Sequence, residues 1–224
     1  MSTANPLRLN RRLVAATFLC CAALSGQARQ SREIKLDELK RAVVIVATFD
    51  QDGRPLLQGS GFFVTPDRIV TNLHVIDRAT AIHIKTFTGM TLIVETIIAS
   101  DAGSDLALLQ VTGRAEAFLA VDRARPTEGE PIILLSNPQG STWKVARGVV
   151  GRIWEFANTG SRLQITADVL PGSSGGPVIN RRGLVVGIAV MRMDSGDNLN
   201  FAVPAASLQR LQTQSLTARN LPGH

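Results

Sequence analysis

Three short stretches of this chain carry side chains that could act together on a carbonyl group. The densest is Pro171-Gly172-Ser173-Ser174-Gly175-Gly176-Pro177. A nucleophilic serine must display its hydroxyl on a tight turn, with backbone N–H groups converging on the oxygen of a tetrahedral intermediate. Glycines on both sides of Ser174 permit that approach because they carry no Cβ. Taken alone, the run reads equally well as a plain Ser/Gly turn between strands. Upstream, Thr71-Asn72-Leu73-His74-Val75 places His74 just beyond an apolar strand. An imidazole there could serve as general base near neutral pH, although a lone histidine at a strand end is more often structural. His83, between Ile82 and Ile84, reads as a solvent-facing strand residue, and His224 lies in the terminal tail. The third stretch is Ser104-Asp105-Leu106-Ala107-Leu108-Leu109. A carboxylate at Asp105 could fix the imidazole tautomer and stabilise its charged form. Asp101 is the rival, and Asp105 is preferred because it abuts an apolar strand, where a carboxylate needs a partner.

The elements that must position these groups are short and β-rich. One series runs Ala42 to Phe49, Gly61 to Thr65, Arg68 to Thr71, Ala81 to Thr86, Thr91 to Ala99 and Leu106 to Val111, separated by Gly, Pro and Asp turn signals. After a linker-like stretch from Asp122 to Gly129, a second series runs Pro131 to Leu135, Lys144 to Trp154, Leu163 to Ala167, Pro177 to Ile179, Leu184 to Val190 and Asn200 to Val203. The expected fold class is all-β: two six-stranded antiparallel β-barrels, about 41–121 and about 130–204, with a closing helix from Ala205 to Gln214 and a tail at 215–224. Residues 29–40 read as a polar lead-in with one short helix. His74 and Asp105 then fall in the first barrel and Ser174 in the second. Chymotrypsin-type enzymes carry their groups in the order His, Asp, Ser, whereas α/β-hydrolases and subtilisins do not. No strand-to-helix alternation surrounds Ser174, which argues against those two folds.

Composition narrows the remaining classes. The chain has 224 residues, 45% hydrophobic and 19% charged, which is too apolar for a disordered chain. Residues 1–28 read as a secretory signal peptide, in which Arg8, Arg11 and Arg12 precede the apolar run Leu13 to Leu24 and Gly26-Gln27-Ala28 offers a cleavage site. The mature protein is therefore expected to be exported, periplasmic or secreted. Cys20 and Cys21 both lie in the leader, so no disulfide, thiol nucleophile or thiolate metal site is expected after processing. Loss of the three leader arginines lowers the formal charge from +6 to +3, which gives little support for a nucleic-acid partner. No HExxH or carboxylate cluster accompanies the three histidines, so neither a metal nor another cofactor is expected.

Together these motifs resemble the HtrA/Deg-like branch of trypsin-like serine proteases over roughly residues 41–212. The residues that carry the likeness are Gly59-Ser60-Gly61-Phe62-Phe63, Thr71-Asn72-Leu73-His74-Val75, Asp105-Leu106-Ala107-Leu108-Leu109, Ser136-Asn137-Pro138-Gln139-Gly140, Gly172-Ser173-Ser174-Gly175-Gly176-Pro177 and Asn200-Phe201-Ala202-Val203-Pro204. The resemblance implies a serine endopeptidase acting on protein or peptide substrates. In it Ser174 is the nucleophile, His74 the general base and then acid, and Asp105 its orienting partner. It also implies an oxyanion hole from the N–H groups of Gly172 and Ser174, and a substrate pocket near Val169, Leu170, Gly187, Ile188 and Ala189. Two departures stand out. HtrA proteins usually carry a PDZ domain, which is not expected here, and Ser173 occupies the place where digestive trypsins have an aspartate. Asp168 could favour a basic substrate side chain if it lined the pocket, but apolar residues around Gly187 to Val190 suit a small aliphatic one. Two other readings are a catalytically silent trypsin-like binding module and an exported enzyme of the glutamyl-endopeptidase type.

Overall fold

The computed structural model describes residues 36–138, 143–157, 160–193 and 199–219, with side chains of 191–193 and 214–219 excepted. The leader at residues 1–28, with Gln139 and Gly140, lies outside them. Six of the described strands are β1 (Val43–Phe49), β2 (Pro55–Thr65), β3 (Arg68–Asn72), β4 (Ala81–Lys85), β5 (Thr91–Asp101) and β6 (Leu106–Val111). They close into a barrel in the order β1-β2-β3-β6-β5-β4. The other six, β7 (Pro131–Ser136), β8 (Lys144–Phe156), β9 (Gly160–Ile165), β10 (Pro177–Asn180), β11 (Val185–Met193) and β12 (Leu199–Pro204), close as β10-β11-β12-β9-β8-β7. All pairings are antiparallel, as expected from the two series of short apolar runs. Three helices complete the described residues: α1 (Leu36–Arg41), α2 (Leu73–Ile76) and α3 (Ala205–Arg219).

Strand periodicity divides the apolar residues between two kinds of core, because successive side chains leave a strand on opposite faces. In β6, Ala107 and Leu109 point into the first barrel with Val44, Val46, Phe63 and Ile69. Leu106 and Leu108 point outward, into a layer shared with Leu135, Ile179, Ile188 and Phe201 of the second barrel and Leu208 and Leu211 of α3. The second barrel fills its own interior with Ile132, Leu134, Val150, Leu163, Val178, Val186 and Ala189. The barrels are thus joined by a buried apolar layer, to which α3 contributes Leu208 and Leu211.

Two local differences from the sequence expectations have simple causes. His83 is half-buried rather than solvent-facing, since its ring stacks obliquely on Phe49 at a centroid distance of 4.9 Å. Residues 73–76, beyond the expected strand, form one helical turn where no element is expected, as the main chain leaves β3 onto the polar groups of Asp105.

Candidate active site

Register brings the first two groups together. β3 pairs with β6 so that Asn72 faces Leu106 and Thr71 faces Ala107, which sets the exit of one strand beside the entry of the other. Asp105 stands at that entry with φ 59, a left-handed conformation uncommon for a residue with a side chain. Its main-chain oxygen accepts Asn72 Nδ2 at 2.9 Å and the Leu73 N–H at 3.1 Å. Its carboxylate accepts the His74 N–H at Oδ1, 2.9 Å, and His74 Nδ1 at Oδ2, 2.6 Å. One residue therefore satisfies the first N–H groups of α2 and grips the imidazole that α2 carries. With Nδ1 donating, Nε2 is left as the basic nitrogen. The His74 side chain is 47% exposed and that of Asp105 20%, so the ring opens on solvent above a more sheltered carboxylate.

Asp101 is occupied elsewhere. Its Oδ1 accepts the Gly103 N–H at 3.0 Å and its Oδ2 the Ser104 hydroxyl at 2.6 Å, closing the β5–β6 turn. That hydroxyl, more than any other contact, holds the Asp101 carboxyl below the usual carboxylate range. Behind the turn, the buried Arg162 of β9 points Nη2 at the Gly103 carbonyl, 3.4 Å away. Burial pushes its guanidinium down from its ordinary value, and the negative charges of Asp105 and Asp101 oppose that shift.

Ser174 sits on two consecutive tight turns between β9 and β10. In the first, the Ser173 N–H closes on Leu170 O at 2.8 Å, with Pro171 and then Gly172 (φ 87) as its central residues, the signature of a type II turn. In the second, the Gly176 N–H closes on Ser173 O at 2.9 Å, with Ser174 followed by Gly175 (φ 86). Glycine is required at 175 on two counts. The positive φ disfavours side chains, and an added Cβ would lie 2.0 Å from Ser60 O and 2.6 Å from Thr71 Oγ1. Space is also short at Gly59 of β2, where a Cβ would sit 2.8 Å from Val75, the neighbour of His74, and 3.1 Å from Ser174 O. The α2 turn and the Ser174 turn thus lie on either side of one glycine. The Ser174 hydroxyl donates to Val190 O at 2.8 Å. Ser173 is buried, its hydroxyl 3.0 Å from Ser136 Oγ, where an aspartate would have needed a cation.

Among the other residues singled out from sequence, Val169 and Ala189 turn their side chains into the second barrel's core, and Ile188 turns into the layer between barrels. Gly187 backs onto Val203 O, 3.1 Å from where its Cβ would be. Leu170 is 37% exposed, and Asp168 is also exposed. Two residues in this region were not singled out individually. Ser60 lay unremarked inside a glycine motif, and Arg162 stood in a strand without any local signal. Among the described residues no group of His, Cys, Asp and Glu could hold a metal ion.

Residues 59–188 match the family model of the trypsin-like peptidase domain. The chain is 34% identical to a probable periplasmic serine endoprotease, DegP-like, of Bartonella henselae, covering 72% of this chain and 34% of that protein. It is 30% identical to the serine protease Do-like HtrB of Bacillus subtilis, over 66% of this chain and 35% of that one. It spans about a quarter to a third of the curated relatives it matches first. The fold superposes on the serine endoprotease of Yersinia pestis with a TM-score of 0.70, at 24% identity, covering 81% of this chain and 66% of that one. The chain belongs to the trypsin-like peptidase family, with DegP-like and Do-like serine proteases among its relatives.

Proposed function

We propose that this protein is a serine endopeptidase that cleaves protein substrates through an acyl-enzyme. Its catalytic domain occupies residues 41–214 behind an export leader at residues 1–28, so its work lies on the exported side of the membrane, in turnover of extracytoplasmic proteins. The observation that carries the reading is the two-point grip of Asp105 on His74, at the main-chain N–H and at Nδ1. That grip fixes the tautomer that a general base requires.

In the proposed cycle the Ser174 hydroxyl leaves Val190 O and turns to His74. His74 Nε2 takes its proton as Oγ bonds to the scissile carbonyl carbon. The resulting oxyanion is received by the N–H groups of Gly172 and Ser174, donors fixed in place before the charge develops. The intermediate collapses, the C–N bond breaks, and His74 returns the proton to the departing amine. Water then attacks the ester with His74 again as base, releasing the acid and restoring Ser174. Asp105 stays ionised throughout and stabilises the imidazolium. Leu170, the exposed apolar residue beside the turn, is proposed to meet the substrate side chain, whereas the side chains of Val169, Ile188 and Ala189 are taken up by the cores and leave the expected pocket lining to the main chain.

A catalytically silent binding module is the second reading, favoured by the bond from Ser174 to Val190 O rather than to an imidazole. The two readings separate on incubation of a denatured protein with wild type and Ser174→Ala, with new peptide termini mapped by mass spectrometry. Endoproteolysis expects cleavage by wild type only, after aliphatic residues. Intact substrate with both proteins points to the binding module, and cleavage confined to acidic residues points to a glutamyl-type enzyme.

A further inference from the structure

Ser60 is the point at which the first barrel touches the catalytic turn of the second. It lies in the middle of β2, with no exposed surface. Its main-chain N–H donates to Ser174 O at 2.8 Å, and its main-chain O accepts Thr71 Oγ1 at 2.8 Å. The hydroxyl is used in both senses. It donates to Gly172 O at 2.8 Å and accepts the Asn137 N–H at 3.1 Å. A hydroxyl in a strand facing an apolar layer would ordinarily be replaced by a methyl, because burying it unpaired is unfavourable. Here the hydroxyl and the main-chain N–H of Ser60 both donate to the proposed catalytic turn, at Gly172 O and Ser174 O.

Gly172 needs such an anchor. It has no side chain to lock it, and the same four-residue turn can form with the opposite orientation of its central peptide if φ of the third residue becomes negative. That alternative would carry the Gly172 N–H to the other face, away from a developing oxyanion. The closure from the Ser173 N–H to Leu170 O is common to both turn types and does not choose between them; the other bond at this turn is the one from Ser60 to Gly172 O. The latter comes from outside the turn and fixes the carbonyl side of Gly172 against a wholly buried strand.

We infer that Ser60 is a positioning residue for the peptidase reaction, its hydroxyl holding the Gly172 turn in the conformation that aims the Gly172 N–H at the oxyanion. The inference rests on the proposed peptidase function and assigns to the first barrel a part in transition-state stabilisation. A donor that matters mainly in the transition state changes kcat rather than KM.

The test measures kcat and KM on a peptide taken from the cleavage map, together with thermal midpoints, for wild type, Ser60→Ala, Ser60→Cys and Thr48→Val. Cysteine keeps the unbranched shape of serine with a somewhat larger atom and is a poor donor. Thr48 is equally buried, and its hydroxyl binds Leu57 O within the first barrel, so its loss serves as a stability control. The expected result is a fall in kcat of about ten- to a hundredfold in both Ser60 variants, with KM within about twofold of wild type. Thr48→Val should lower the midpoint and leave kcat unchanged. Wild-type kcat in Ser60→Cys would overturn the inference, as would an equal kcat loss in Thr48→Val. Failure of both Ser60 variants to fold would assign the residue to barrel packing instead. An inactive wild type would remove the peptidase reading itself, an outcome distinct from all of these.

Discussion

Asp105 does two jobs with one conformation. Its positive φ lets the carbonyl turn to Asn72 and Leu73 while the carboxylate reaches His74. Asparagine tolerates that backbone region and keeps an acceptor oxygen, whereas it cannot hold the imidazolium by charge. Asp105→Asn should therefore lower kcat by about 10⁴-fold while the thermal midpoint moves little, checked by peptide hydrolysis and calorimetry. Gly175→Ala should behave differently. Its methyl would meet Ser60 O and Thr71 Oγ1, and φ 86 is strained for alanine, so both activity and stability should fall, the latter by a few kcal/mol. The three side chains proposed as the catalytic groups could be singled out in the sequence because each stands beside a turn or strand signal. Ser60 could not, since a buried hydroxyl shows its partners only when a second barrel arrives.

The β5–β6 turn shows how an element keeps its two acids apart. Asp101 binds its own turn and Asp105 binds His74, whereas the preference for Asp105 rested on its place against an apolar strand, since four residues of spacing could not display these partners. Asp101 also gives a pH prediction. Its folded carboxyl is depressed, chiefly by Ser104, so its contribution to stability is fully present above the unfolded value near 3.8 and is lost as pH falls through the folded one. Ser104→Ala removes most of that contribution. The variant should have a lower thermal midpoint than wild type at pH 7, and the gap should narrow at pH 3. A gap that stays constant across that range would show that Ser104 acts by packing alone. Strand positions were legible from apolar runs bounded by Gly, Pro and Asp. Register was not, because nothing local specifies that Asn72 faces Leu106, and that pairing is what brings His74 to Asp105.

At the scale of the whole molecule, two closed barrels meet through an apolar layer and are linked across it by a few polar clamps. A further polar cluster ties the segment between the barrels to the end of β10 and to α3. The buried Asp122 carboxylate receives Arg182, Asn180 Nδ2 at 2.9 Å and the Ala124 N–H at 3.0 Å, and its main-chain O takes Gln209 Nε2 of α3 at 2.8 Å. Asp122→Ala would leave the buried Asn180 Nδ2 without its acceptor and should destabilise by about 1–3 kcal/mol without altering kcat. A matching loss of kcat, compared at a temperature where the variant stays folded, would mean that the linker reaches the site. The sequence supported a two-barrel reading through its two series of strands, but the contacts between barrels depend on which face of each strand turns outward. The decisive measurement is the intact mass of the protein after exposure to a fluorophosphonate, with the labelled peptide identified. One adduct per chain on Ser174 is expected in wild type, formed more slowly in Asp105→Asn and absent from Ser174→Ala. A wild type that stays unlabelled, or an adduct that persists in Ser174→Ala, would contradict the claim that His74 and Asp105 activate this hydroxyl.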